Sequence, residues 1–454
     1  MVKKDWFPDL DSADGRKYLA IAESMAAAIE AGDLRGGDRL PPQRDLAARL
    51  GVDLTTVTKA YDQARNRGLI VARGRAGSFV LPQDVMAAGP PPRDTGMNMP
   101  PEVEGGSLLA LWERTTSALL SAPGAGGRLH YVPAGGSEAD RIAGTKIFER
   151  VSLASHPDEV IVTSGSQNAL HAIIGATLAP GDTVACGPYV YPGFLALARK
   201  AGLKLAPMTR IEAANLEALC RTRKIAALYL VPTNDNPTTT TLNADERAAI
   251  AEVALRHAIQ IIEDDAYGLL DERPLAPLAS LVPELGWYIA TSSKIISPAL
   301  RVAHVRAPSL RQAMALAAVV HDTNVMAPPL NAALLTCWVE DGRYDRLIAE
   351  TRAEAKRRQA LAAEILPPAS YAAHPCGYHL WVSLGDDDNA AQIGSALAGA
   401  GMTAISADSF SAGDMRAPAV RVSLGGAIDT AGLRRGLTML SLYLTSAGPL
   451  PPVI

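Results

Sequence analysis

The stretch best equipped for chemistry is Ala290-Thr291-Ser292-Ser293-Lys294-Ile295-Ile296-Ser297-Pro298-Ala299-Leu300-Arg301. Its lysine stands among hydroxyl and small apolar residues, without the charged company of a surface lysine. Burial lowers a lysine's pKa and turns it into a nucleophilic amine, able to form a Schiff base with an aldehyde. Arg301 offers paired charge-assisted bonds to a phosphate, with Thr291 and Ser293 as neighbouring donors. A lysine imine beside a phosphate is the chemistry of pyridoxal 5'-phosphate. A solvated lysine beside a loop fits the same stretch, so its partners must decide.

Candidate partners lie upstream, each with a plainer alternative. Ser164-Gly165-Ser166-Gln167 follows the apolar run Val160-Ile161-Val162-Thr163 and leads into a helix. Free N–H groups at such a helix start suit an anion, although glycine-serine turns are common. Tyr191, before Pro192-Gly193, is placed to lie against a ring or simply to pack in the core. Asn236, in Pro232-Thr233-Asn234-Asp235-Asn236-Pro237, could donate an amide hydrogen to a phenolate or be a turn asparagine. Glu263-Asp264-Asp265 ends a strand that begins Gln260-Ile261-Ile262, and Tyr267 follows. A carboxylate there could hold a pyridine nitrogen protonated. A metal is the rival for three acids in a row, but no histidine cluster accompanies them, so no metal site is expected.

These residues need a scaffold that brings strand ends together. From about Ser107 the chain alternates short β-rich runs with helical patterns, which predicts an α/β fold with a mainly parallel sheet. The 454 residues allow two to four domains, and 48% apolar with 20% charged content is ordinary for a globular protein. Cys186, Cys220, Cys337 and Cys376 have no paired spacing, which argues against a zinc site or a disulfide framework. There is no apolar signal segment at the N-terminus and no run that would span a bilayer. The expectation is a cytoplasmic protein.

The N-terminal region has a different character. Between Arg35 and Arg75 nine Lys and Arg face four Asp, although the whole chain carries a net charge of -4. Such asymmetry raises the prospect of nucleic acid. Residues Tyr18 to Glu30 read as an amphipathic helix stopped by Gly32. A second helix opens at Leu40-Pro41-Pro42, with Pro42 suited to its first turn. After Gly51-Val52-Asp53, with Asp53 as cap, a third helix turns Val57, Ala60, Tyr61 and Ala64 inward. Thr55, Thr56, Thr58 and Lys59 then face outward. The segment Leu69 to Val80 reads as a hairpin tipped by Arg73 and Arg75. Two helices about a glycine turn, followed by a hairpin, predict a winged helix-turn-helix. Residues 83–106, with Gly89-Pro90-Pro91-Pro92 and Met99-Pro100-Pro101, read as a semi-rigid linker.

Two resemblances gather these observations. Leu40-Pro41-Pro42-Gln43-Arg44-Asp45-Leu46-Ala47, Leu50-Gly51-Val52, Thr56-Val57, Ala60-Tyr61, Gly68-Leu69 and Gly77-Ser78-Phe79-Val80 resemble the winged helix of GntR-family repressors over residues 14–82. That likeness implies DNA contacts by Arg44, Thr55, Thr56 and Lys59 and by the wing residues Arg73 and Arg75. Leu54 stands where many relatives have arginine. Residues 107–447 resemble fold-type I aminotransferases, which implies a mainly parallel α/β domain with a smaller C-terminal α/β subdomain. Gly165, Ser166 and Gln167 would then hold the cofactor phosphate, with Thr291, Ser293 and Arg301. Tyr191 would stack on the ring, Asn236 and Tyr267 would bond its phenolic oxygen, and Asp264 its nitrogen. Asp264 is preferred to Asp265 on Asp-x-x-Tyr spacing. Lys294 would carry the cofactor, and Arg421, in Val420-Arg421-Val422-Ser423, would grip a ligand carboxylate. Thr239 replaces a usual glycine and Gly187 a frequent acid.

The combination is similar to the MocR-type regulators. It implies a homodimeric, pyridoxal-phosphate-dependent transcriptional regulator that binds double-stranded DNA. An amino acid or amine effector would be sensed by aldimine exchange at Lys294. An active aminotransferase with an accessory DNA-binding domain is the alternative.

Overall fold

A computed structural model describes residues 6–8, 17–67, 69–72, 77–80, 96–385, 390–415 and 417–445. The chain divides between Thr95 and Gly96 into two compact units.

The first unit contains α1 (Lys17–Glu30), α2 (Gln43–Leu50), α3 (Leu54–Asn66) and an antiparallel hairpin of β1 (Ile70–Ala72) and β2 (Ser78–Val80). Gly51, at φ 63°, ends α2 in the left-handed conformation that a side chain would disfavour. Asp53 then starts α3 by accepting the backbone N–H of Thr55 at 2.8 Å. The periodic residues Val57, Ala60, Tyr61 and Ala64 are fully buried against Ile21, Met25 and Leu46. The Tyr61 hydroxyl meets its polar requirement by donating to Pro41 O at 2.7 Å.

The second unit is built on a seven-stranded sheet of β3 (Val160–Thr163), β4 (Thr183–Cys186), β5 (Lys204–Pro207), β6 (Ala227–Leu230), β7 (Gln260–Asp265), β8 (Gly286–Thr291) and β9 (Ala303–Arg306). The order is β3-β9-β8-β7-β6-β4-β5. Only β9 runs antiparallel, to both of its neighbours. Strands β3, β6 and β8 are buried along their whole length, as expected for a sheet covered by helices on both faces. A smaller four-stranded antiparallel sheet follows, with β10 (Tyr371–Ala373), β11 (His379–Ser383), β12 (Ala404–Ser406) and β13 (Ala419–Ser423) in the order β10-β11-β13-β12. A mainly parallel sheet with a smaller C-terminal subdomain is the architecture expected.

The large unit also takes in residues from Gly96 onward, which the proline content places in the linker. The reason is backbone pairing that composition cannot reveal. Glu102 N–H donates to Gly426 O at 3.1 Å, and Gly426 N–H donates to Pro100 O at 3.2 Å. The buried Arg358 guanidinium adds bonds to Glu102 O and Leu424 O at 3.2 and 2.7 Å. Residues 96–102 therefore form a strap on the small sheet, beside the loop that follows β13.

Candidate functional site

The parallel strands direct their carboxyl ends to one edge, where ligands bind in α/β sheets. Strand β3 delivers Gly165 at φ 83°, and the helix Ser166–Thr177 starts there. A Cβ on Gly165 would lie 2.7 Å from the Arg301 guanidinium. Only glycine permits that approach, and Arg301 reaches back to donate to Ser164 O at 2.8 Å. Two segments more than a hundred residues apart in sequence thus meet at this point. Ser166 opens the helix at this point. Gln167 donates to Gly193 O at 3.1 Å. Ser293 is buried, and among the described residues neither its hydroxyl nor the buried Gln167 Oε1 has a hydrogen-bond partner. Thr291, at the end of β8, is buried and accepts the Ser293 N–H at 3.2 Å.

Lys294 follows directly. Its ammonium donates to Asn98 O at 2.6 Å. Burial is the main cause of a pKa lowered to about 8, and the nearby Arg421 guanidinium acts in the same direction, partly opposed by Asp264. Asp264, on β7, accepts from the Tyr229 hydroxyl at 3.2 Å through Oδ2, while its buried Oδ1 meets no donor among the described residues. Burial raises this carboxyl to about 6, with the Tyr229 bond pulling the other way. Tyr191 is half-buried at the start of the helix Pro192–Lys200 and close enough to feel both Asp264 and Arg301. Tyr267 is buried, and its hydroxyl accepts from Asn98 Nδ2 at 3.0 Å. Asn236 Oδ1 accepts from Arg421 Nη1 at 3.1 Å. Arg421, buried on β13, also donates to Gly96 O at 2.7 Å.

The cofactor and effector candidates read from sequence therefore gather at one edge of the sheet. Other residues were missed there. Asn98 lies in a proline-rich stretch with no periodic signal, and His379, Tyr229 and Ser423 join the site only through sheet pairing. The Tyr378 hydroxyl also reaches the site, donating to Lys294 O at 2.8 Å. No group of three or more His, Cys, Asp or Glu suited to a metal occurs among the described residues.

In the first unit, Arg44 and Lys59 are exposed, as is Thr55, whose hydroxyl donates to Asp53 at 2.8 Å. Thr56 is half-buried and Leu54 is 39% exposed. The side chains of Arg44, on α2, and of Thr55 and Lys59, on α3, leave α2 and the start of α3 with a solvent-facing polar surface. Arg73 and Arg75 lie outside the described residues.

Residues 17–80 match the family of bacterial regulatory proteins, gntR family, and residues 112–437 match aminotransferase class I and II. The chain is 28% identical to YdeF, an uncharacterized HTH-type transcriptional regulator of Bacillus subtilis, over 97% of this chain and 96% of that protein. It is also 28% identical to PtsJ, the vitamin B6 salvage pathway transcriptional repressor of Salmonella typhimurium, over 82% of this chain and 86% of that one. Among solved structures, LysN, the alpha-aminoadipate aminotransferase of Thermus thermophilus, superposes with a TM-score of 0.67 at 22% identity, covering 78% of this chain and 91% of its own. Pyridoxal 5'-phosphate is the cofactor of the class I and II family. The unpartnered Asp264 Oδ1 and Ser293 Oγ, with the Lys294 amine and the Arg301 guanidinium, are the valences such a group would use, so the residues present fit it. This chain belongs to the class I and II aminotransferase family, joined to a GntR-type helix-turn-helix domain in the MocR-type architecture.

Proposed function

We propose that this protein is a transcriptional regulator that binds double-stranded operator DNA through its first unit and reads an amino acid or amine in its second. The observation that carries the reading is the strap. Lys294 and Arg421 both donate to its carbonyls, those of Asn98 and Gly96. Those residues stand at the point where the chain from the DNA-binding unit enters the large one. A ligand that occupies Lys294 and Arg421 takes over the donors that hold the strap. Its differential affinity for the held and released arrangements is what shifts the equilibrium.

In this reading Gly165, Ser166, Gln167, Thr291, Ser293 and Arg301 hold the phosphate of pyridoxal 5'-phosphate. Asp264 meets its ring nitrogen, Asn236 and Tyr267 its phenolic oxygen, and Tyr191 its ring face. When bound, the cofactor supplies an electrophilic carbon for amines. Asp264 keeps a proton at the ring nitrogen, and Lys294 offers its amine close to neutral pH because burial has lowered its pKa to about 8. Arg421 pairs with the ligand carboxylate, so the effector carries both an amine and a carboxylate. Arg44, Thr55, Thr56, Lys59, Arg73 and Arg75 form the DNA-facing set, with the arginines chiefly on phosphates. Such contacts make affinity fall steeply with salt.

The active form is a homodimer, in keeping with the exposed Leu109, Leu129 and Tyr131 on the large unit, and two helix-turn-helix units then read repeated half-sites. No helix among the described residues is long and apolar enough to cross a membrane. With its four free cysteines, a cytoplasmic DNA-binding protein fits best.

A working aminotransferase is the competing reading, favoured by the lowered pKa of Lys294, which also suits proton transfer. One sample separates the two. DNA affinity and keto-acid formation are followed together as an amino acid is added. The regulator reading expects DNA affinity to change before keto acid accumulates. Rapid turnover with unchanged DNA affinity would contradict it.

A further inference from the structure

Asn98 is 1% exposed, and its side chain joins three other residues of the site. Nδ2 lies 3.0 Å from the Tyr267 hydroxyl and 3.3 Å from His379 Nδ1. Oδ1 accepts the Ser423 hydroxyl at 2.8 Å. The direction of each bond follows from the chemistry of the ends. His379 Nε2 lies 3.1 Å from Asp235 O, a carbonyl that can only accept. Nε2 therefore carries the ring hydrogen, and Nδ1 of the neutral imidazole is an acceptor alone. Burial keeps the ring neutral by pushing its pKa down to about 3. At the other end, Ser423 accepts the Gly425 N–H at 3.2 Å and so turns its own hydrogen to Asn98 Oδ1.

The Asn98 amide is thereby fixed with its NH₂ side toward His379 and Tyr267. Its two hydrogens serve those two acceptors, and the Tyr267 oxygen receives one of them. A phenol has a single hydrogen of its own, and it is left to point away from Asn98. The other charged or titratable groups that act on Tyr267 are Arg421, Asp264 and Tyr191, together with Tyr378, whose ring packs edge-on against it at 5.8 Å.

We propose that Asp235, His379, Asn98 and Tyr267 form a hydrogen-bond chain of fixed polarity, in which Asn98 and His379 are positioning residues that make Tyr267 a donor toward the ligand site. The chain selects a ligand that presents an anionic oxygen to Tyr267. This rests on the reading that the site takes pyridoxal 5'-phosphate, whose phenolate is such an oxygen. Donation to a phenolate stabilises its deprotonated form, so an intact chain lowers the pH at which the bound cofactor's visible spectrum titrates.

Asn98→Asp tests this at nearly constant shape, because a carboxyl bears at most one hydrogen where the amide bears two. Wild type, Asn98→Asp, Tyr267→Phe and the double variant are loaded with pyridoxal 5'-phosphate, and visible absorbance is titrated against pH. Asn98→Asp should raise the midpoint by about one to two units, the worth of a hydrogen bond to a charged group. In the Tyr267→Phe background the same change should add less than about half a unit, since coupled residues are not additive. Should Asn98→Asp fail to fold, Ser423→Ala releases Oδ1 and is expected to raise the midpoint too, again only where Tyr267 is present. A shift of equal size in both backgrounds, as a direct charge effect on Lys294 would give, overturns the chain. So does an unmoved midpoint. A wild type with no visible band removes the cofactor reading itself, and this inference with it.

Discussion

Strand β7 places three consecutive acids in two environments. Side chains alternate across a strand, so Glu263 and Asp265 share one face and Asp264 takes the other. On the first face every carboxylate is occupied. Glu263 accepts the N–H groups of Leu278 and Ala279 at 3.2 and 2.9 Å, with the Arg247 guanidinium 4.0 Å away. Asp265 accepts the Tyr288 hydroxyl at 2.8 Å and the Gly268 N–H at 2.9 Å. On the second face Asp264 has, among the described residues, one bond, from Tyr229, and a buried oxygen without any. Burial raises the pKa of all three. What distinguishes them is satisfaction: the occupied pair lock the fold, while the open one waits for a cationic or N–H partner. An unsatisfied buried carboxylate is costly, so its presence beside a buried lysine marks a place that function maintains.

The largest break in this contrast is expected at Glu263. Glu263→Ala leaves the buried N–H groups of Leu278 and Ala279 without an acceptor, and should cost about 2–5 kcal/mol in urea unfolding. Cofactor binding should suffer only through the fold. Asp264→Asn should do the reverse. Stability without cofactor should hold or improve, while affinity for pyridoxal 5'-phosphate falls about ten- to a hundredfold in absorbance titrations, from the loss of one charge-assisted bond. If both variants lost stability equally, the two faces would not differ in the way described.

A smaller effect is expected in the pH dependence. In the cofactor-free protein Asp264 titrates at about 6, above the ordinary 3.8. The native state therefore holds a proton that the unfolded chain has released between those values. By linkage, this group costs nothing below pH 3.8, and stability falls as pH rises from there to 6. Asp235 is raised to about 6 by its own burial and adds to the same window. Asp264→Asn should remove its share, about 2–3 kcal/mol of the decline across that window, and leave that of Asp235. A decline undiminished in the variant would assign the whole of it elsewhere.

Much of this arrangement was legible in the chain because the signals were local. The Asp53 cap, the inward Val57-Ala60-Tyr61-Ala64 stripe and the seven-residue step from Lys294 to Arg301 each lie within one or two turns or one loop. The alternation that sets Asp264 apart from its neighbours is also local, although which aspartate faces the ligand came from the Asp-x-x-Tyr likeness. Asn98 could not be found this way. Its four partners come from the distant positions 267, 294, 379 and 423, and only the topology joins them. The proline and glycine around it read as tether, whereas Asn98, Pro100 and Pro101 are in fact buried.

The account rests most heavily on Lys294 as the anchor of pyridoxal 5'-phosphate, and its visible absorbance addresses that directly. Wild type supplied with the cofactor and then gel-filtered should keep a visible band. Lys294→Ala treated identically should lose it, or retain only the spectrum of non-covalently held cofactor. A wild type that stays colourless after incubation with pyridoxal 5'-phosphate would contradict the reading of the large unit.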